Sequence, residues 1–162
     1  MSRGGGPLMR VLVAAVGRPR DHELAAAIDE YERRAARYWP LEAREVREEP
    51  ARGRSPDDVR SREGERLLAA AGSATMLVAC DAEGTLMRSE EFAGWLGGHR
   101  DAGHDVAFLI GGAYGLSDEV RRRATLQLAF ARWTLPHELA RLVLAEQLYR
   151  AGTIGRGEPY HK

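Results

Sequence analysis

Two stretches in the last third of the chain hold residues able to do chemistry. Ile110-Gly111-Gly112-Ala113-Tyr114-Gly115-Leu116 follows an apolar run. Its glycines let backbone approach a bound molecule closely, since they accept positive φ and have no side chain to exclude it. The spacing is neither G-x-G-x-x-G nor a phosphate-binding loop closed by Gly-Lys-Ser/Thr, so a tight turn without a ligand would use the same residues. The second stretch is Arg132 to Pro136, leading into a helix whose polar exceptions are Arg141, Glu146, Gln147 and Arg150. Glu146 and Arg150 stand four apart, the spacing of a helical ion pair. Arg150 therefore reads equally as a satisfied structural residue and as a functional cation.

Other chemistries fit poorly. His137-Glu138-Leu139-Ala140-Arg141 misses the H-E-x-x-H zinc helix, with arginine where the second ligand belongs. His99 and His104 are five apart, which is wrong for one helical face, and no metal is expected. Cys80 sits in an apolar run without a nucleophile signature and reads as a small core residue.

The elements that must position these residues follow from pattern. Val11 to Val16 is a short apolar run stopped by Gly17 and reads as a buried strand. A helix is expected from about Asp21, where Leu24, Ile28, Tyr31 and Ala35 recur at helical spacing. Leu41 to Val46 is a further strand and Ala51 to Pro56 a loop. Helix resumes from Pro56, with Ser55 as N-cap. Thr75 to Cys80 is a strand turned by Asp81-Ala82-Glu83-Gly84 toward a helix capped by Ser89, with Glu90 and Glu91 favouring its dipole. Val106 to Ile110 is a strand, a short helix starts at Ser117, and Leu126 to Phe130 is the last strand. Pro136 is expected in the first turn of the final helix, with Thr134 or Leu135 at its cap. That helix is apolar on most sides from Leu139 to Leu148 and must be buried in the core or against a second subunit. Strands alternating with helices imply an α/β fold, a parallel-type sheet flanked by helices on both faces. Its ligands belong at the carboxyl edge of the strands.

Composition narrows the class. The 162 residues are 44% hydrophobic and 30% charged, as in one ordinary globular domain. The formal net charge is zero, which excludes a polycation that coats nucleic acid indiscriminately. Lys162 is the only lysine, so positive charge rests on arginine, whose flat fork suits phosphate. With one cysteine no intramolecular disulfide forms, no stretch approaches a membrane span, and cytoplasm is the expected location. Met1 to Leu8 is Gly-rich without periodicity and reads as a disordered leader, with the fold expected to begin at Met9.

From Met9 to Lys162 the chain resembles the SPOUT family of knotted RNA methyltransferases, and within it the branch that methylates N3 of a pseudouridine in large-subunit (23S) ribosomal RNA. The resemblance rests on the joint order of Val16-Gly17, Glu63-Gly64-Glu65, Ile110-Gly111-Gly112 with Gly115-Leu116, Thr134-Leu135-Pro136-His137, Glu146-Gln147, Tyr149-Arg150-Ala151 and Pro159-Tyr160-His161. It departs at Ala113-Tyr114, where some members carry Pro-Glu.

The resemblance implies a single domain with a C-terminal trefoil knot, a homodimer, and S-adenosyl-L-methionine held by Cys80, Gly111, Gly112, Phe130, Ala131, Arg132, Trp133, Thr134 and Leu135. Cys80 is then core and cofactor wall at once. It implies catalytic roles for Arg150 in stabilising an anion, for His161 in accepting a proton, and for Tyr160 in stacking on an extruded base. The partner is ribosomal RNA in the large subunit or the whole ribosome, with Arg18, Arg20, Arg132 and Arg156 as candidate phosphate contacts. Two rival classes remain: a non-catalytic ribosome-binding protein that kept the fold and, more distantly, a dinucleotide-dependent oxidoreductase.

Overall fold

The computed structural model describes residues 9–162; the leader expected over Met1 to Leu8 lies outside the described residues. In chain order the elements are β1 (Val11–Val16), α1 (His22–Ala35), β2 (Leu41–Val46), α2 (Pro56–Ala71), β3 (Met76–Leu86), α3 (Ser89–Ala102), β4 (Val106–Ile110), α4 (Asp118–Arg123), β5 (Leu126–Ala129) and α5 (His137–Gly155). The five strands form one sheet in the order β2-β1-β4-β3-β5, and every pairing is parallel. The α/β architecture is the one expected.

Parallel strands covered on both faces read as continuous apolar runs rather than alternating ones, and β1 and β4 do. Val11, Val13 and Ala15 point with Phe108 and Ile110 into a core shared with Ala35, Leu96, Leu144 and Leu148, the face covered by α1, α3 and α5. Ala14 and Val16 point the other way with Ala107 and Leu109, toward Leu67 and Val120 under α2 and α4. Every residue of β4 is buried, which fits its place at the centre of the sheet.

Caps set several boundaries as expected. The Asp21 carboxylate accepts from the N–H groups of Glu23 and Leu24, Ser55 Oγ accepts from Asp58 N, and Ser117 Oγ accepts from Val120 N.

Four boundaries differ. Arg88, not Ser89, is the N-cap of α3; the Ser89 hydroxyl instead donates to Gln147 Oε1 at 2.8 Å, tying α3 to α5. Pro136 is itself the N-cap of α5 rather than a first-turn residue, held extended at φ −53° and ψ 145°. β5 ends at Ala129, which releases Phe130 into the following loop. β3 runs to Leu86 instead of stopping at Cys80, yet its ladder with β5 breaks there, and Leu128 pairs first with Cys80 and then with Thr85. Residues 81–84 are thus the expected turn, thrown out of a strand that resumes. Gly84 makes the excursion possible, since a Cβ there would lie 2.6 Å from the backbone of Gln127.

α5 is the spine of the helical layer. Trp39 Nε1 donates to Leu148 O at 2.9 Å. Arg141, 6% exposed, meets Glu32 through Nε and Nη2 and Glu45 through Nη1, at 3.0 to 3.1 Å. Where α5 crosses behind α1, Gly152 lets the Tyr38 ring lie directly on the helix, in the space a Cβ would fill. Gly152→Ala should therefore cost about 2 kcal/mol in urea denaturation, the usual range for overpacking; unchanged stability would mean that the ring moves away freely.

Candidate functional site

The carboxyl ends of β4 and β5 and the break in β3 after Cys80 open into one cleft of about 610 Å³, within the range that takes a small molecule or cofactor. Its first wall is the excursion at Asp81, Ala82 and Glu83. Arg121 Nε donates to Asp81 Oδ2 at 2.5 Å, and Arg132 Nη1 donates to the carbonyls of Ala82 and Gly84, both at 2.8 Å. The second wall is the glycine turn. Gly115 sits at φ 82°, its N–H donating to Gly112 O at 3.0 Å, and a Cβ on Gly111 would come within 2.7 Å of the Gly115 backbone. A larger residue at either position would force the turn open.

The third wall is the segment entering α5. Among the described residues, the N–H and C=O groups of 131–135 make no backbone–backbone hydrogen bond, so this stretch offers donors and acceptors to whatever fills the cleft. Of the residues expected to hold a cofactor, Cys80, Gly111, Gly112, Phe130, Ala131, Trp133, Thr134 and Leu135 line it. Arg132 does not; it braces the first wall. Trp133, 83% exposed, stands at the rim. Burial, helped by the Asp81 carboxylate, pushes the Cys80 thiol far above its ordinary range.

A second constellation occupies the other end of α5. Arg150 donates to Glu146 Oε1 through Nε at 2.9 Å and Nη2 at 2.5 Å. Its Nη1 lies 3.0 Å from His161 Nδ1, and its guanidinium stacks 4.8 Å from the centre of the Tyr160 ring. Tyr160 OH donates to the same Glu146 oxygen at 3.0 Å. Burial and that carboxylate push Tyr160 up to about 12, which keeps the phenol neutral and a donor. His161 Nε2 meets Glu90 Oε1 at 2.9 Å. Because guanidinium only donates, Nδ1 is the acceptor and Nε2 carries the proton. The three expected catalytic residues are thus brought together. None of them lines the cleft, whose last lining residue on α5 is Ala140, ten residues before Arg150 and about 15 Å away at the α-helical rise.

Residues 9–161 match the family model described as predicted SPOUT methyltransferase. The chain belongs to the SPOUT methyltransferase family. It is 58% identical over 154 residues to the ribosomal RNA large subunit methyltransferase H of Gemmatimonas aurantiaca, spanning 95% of this chain and 100% of that one. Proteins of the same name from Anaeromyxobacter dehalogenans and Clostridium kluyveri are 47% and 39% identical, again over 95% of this chain and 100% of theirs. Among solved structures, a probable methyltransferase from Bordetella pertussis superposes with a TM-score of 0.55 at 18% identity, covering 88% of this chain and 96% of that one. A probable methylase family protein from Haemophilus influenzae gives 0.54 at 14% identity, covering 95% and 70%. These two likenesses establish the fold.

Within this SPOUT chain the four arginines expected at phosphate are mostly engaged. Arg18 pairs with Glu45 at 3.4 Å and Arg20 with Glu48 at 2.9 Å, both arginines well exposed. Arg156 lies over the Tyr38 ring, 4.5 Å from its centre. Surface pairs of this kind are weak enough to exchange partners. Sequence reasoning missed Glu146 as the hub of the second constellation, since only the fold returns Tyr160 to it from fourteen residues on. It also separated His99 from His104. Their Nδ1 atoms lie 3.0 Å apart, because Gly103 ends α3 in the left-handed conformation and turns His104 back. Among the described residues no three His, Cys, Asp or Glu side chains are placed to hold a metal ion, and no helix is long and apolar enough to cross a membrane.

Thiolate is the reactive form of cysteine, so iodoacetamide at pH 8 should alkylate Cys80 in the native protein at under about a tenth of the rate in urea. Equal rates would contradict the environment described for the thiol.

Proposed function

We propose that this protein is an S-adenosyl-L-methionine-dependent methyltransferase that modifies N3 of a pseudouridine in 23S ribosomal RNA, acting in the cytoplasm as a homodimer on the large subunit or whole ribosome. The observation that carries the reading is the cleft at the sheet's carboxyl edge, with a glycine turn on one side and unpaired backbone groups of 131–135 on the other. Those groups suit the hydrogen-bonding edge of an adenine. The names of the near-full-length relatives supply the substrate class. The whole reading takes 9–162 as one domain whose C-terminal passage forms the family's trefoil knot.

When bound, the cofactor supplies a sulfonium methyl group. The protein must hold a nucleophile in line with it, for which proximity and orientation are the main contributions. N3 of pseudouridine is an imide nitrogen, protonated at neutral pH, and it must lose its proton to attack. Arg150 donates to the imide oxygens and stabilises the anion that develops. The His161 Nδ1 lone pair accepts from Arg150 in the resting arrangement; when Arg150 turns to the substrate, that lone pair is released to take the N3 proton. Glu90 on Nε2 holds the ring in this tautomer. Tyr160, neutral, offers an aromatic face to the extruded base.

The separation of cleft and constellation within one chain supports the homodimer: a second copy sets the Arg150 group of one protomer against the cleft of the other. The half-exposed side of α5 around Leu139 and Val143 and the exposed Trp133 supply apolar surface for that contact.

The test is transfer of labelled methyl from S-adenosylmethionine to ribosomes lacking the modification, with the product nucleotide mapped by mass spectrometry. Methyl on N3 of a pseudouridine is expected. No transfer despite cofactor binding would favour the non-catalytic ribosome partner. Arg150→Ala should lower kcat by about a hundredfold or more, the usual cost of removing one anion-stabilising donor. Mixing that variant with an inactive Gly112→Trp variant should restore transfer through mixed dimers. Failure of two separately folded, dimeric variants to complement would place the whole site within one chain.

A further inference from the structure

The Glu63-Gly64 pair on α2 lines neither the cleft nor the Arg150 constellation. Glu63 is 4% exposed. Its Oε2 accepts from Glu49 N at 3.1 Å, while Oε1 is fully buried with no hydrogen-bond partner. Buried polar groups without partners are rare in native proteins and call for a reason. Burial raises the carboxyl above its ordinary range, and the carboxylates of Glu48 and Glu49 add to this against Glu49 N–H and Arg66.

Against the unpaired oxygen lies the glycine turn. A Cβ on Gly112 would come within 3.0 Å of Glu63 Oε1, 3.1 Å of Val16 Cγ1 and 3.3 Å of Glu63 Oε2. The next residue of α2 touches the far end of the same loop, where a Cβ on Gly64 would lie 2.5 Å from Ser117 Oγ and 3.1 Å from Val120 Cγ2. One turn of α2 therefore supports both ends of the loop that forms the cleft's second wall: Glu63 under Gly112, and Gly64 under the cap of α4.

We propose that Glu63 is a positioning residue for the cofactor cleft: acting through Gly112, its buried carboxyl sets the height of the 111–115 turn, and its free Oε1 bonds to the turn's backbone when the turn settles on the ligand. The inference rests on S-adenosylmethionine as the occupant.

The experiment measures S-adenosylmethionine affinity by calorimetry, kcat at saturating cofactor, and thermal stability of the free protein. It compares the unsubstituted enzyme with Glu63→Gln, Glu63→Asp and Glu63→Met. Glu63→Gln keeps length and polarity and should bind within about threefold of the unsubstituted protein. Glu63→Asp withdraws the same carboxyl by one methylene, about 1.5 Å, and should bind about tenfold more weakly while kcat at saturation changes little. Glu63→Met fills the volume without the polar atoms and should behave like Glu63→Asp. Glu63→Asp serves alone if the methionine variant does not fold. Asp and Met variants that bind like the unsubstituted protein, whatever happens to their thermal midpoint, would overturn the proposal and leave Glu63 a packing residue. An unsubstituted protein that binds no S-adenosylmethionine would overturn the cofactor assignment itself, and this inference with it.

Discussion

The cleft exists because the parallel pairing of β3 with β5 is interrupted between Cys80 and Thr85. Were the ladder continuous, residues 81–84 would lie flat in the sheet and close the space above β4. The interruption leaves backbone polar groups without sheet partners, which is costly unless they are otherwise satisfied. Arg132 meets that need with one nitrogen shared by two carbonyls, Arg121 holds Asp81, and Glu83 N donates back to Asp81. Gly84 absorbs the close approach to β5. An arginine from the third wall thus fixes the first, so the two walls hold a common geometry.

α5 is the second constraint. Its first turn closes the cleft and its last turns carry Arg150, so its rigid length holds the two apart within one chain. It is anchored on one side by Leu144, Leu148 and Ala151 in the sheet core and on the other by Arg141 with Glu32 and Glu45. A buried pair of this kind does little for net stability but makes any other register of α5 expensive, because misplacement would leave carboxylates unpaired. The bond from Ser89 to Gln147 and the Tyr38 ring on Gly152 fix the rotation of the helix from two further directions.

The charge distribution follows the same economy. The chain is neutral overall, and its arginines are largely matched to carboxylates close by, as with Glu49 among Arg54, Arg62 and Arg66. Arg18 and Arg20 stand out as well-exposed arginines, held only by surface pairs with Glu45 and Glu48.

The sequence by itself determined the order and type of all ten elements, since apolar runs covered on both faces and capped amphipathic helices are local patterns. The Asp21, Ser55 and Ser117 caps were legible because a cap bonds only two or three residues on. Most of the cleft lining was legible too, through the family pattern in 110–116 and 130–136. Tertiary structure alone decided what depends on contacts distant along the chain. It gave Ser89 to Gln147 instead of to its own helix, Arg132 to the carbonyls of β3 instead of to the cleft, and Glu63 a place beneath Gly112. It also put Arg150, Tyr160 and His161 around Glu146, yet ten helical residues beyond Ala140, the last residue of α5 to line the cleft. The reason is physical: a side chain's type states which bonds it is able to make, while which partner comes within 3 Å depends on how strands far apart in sequence become neighbours in the sheet.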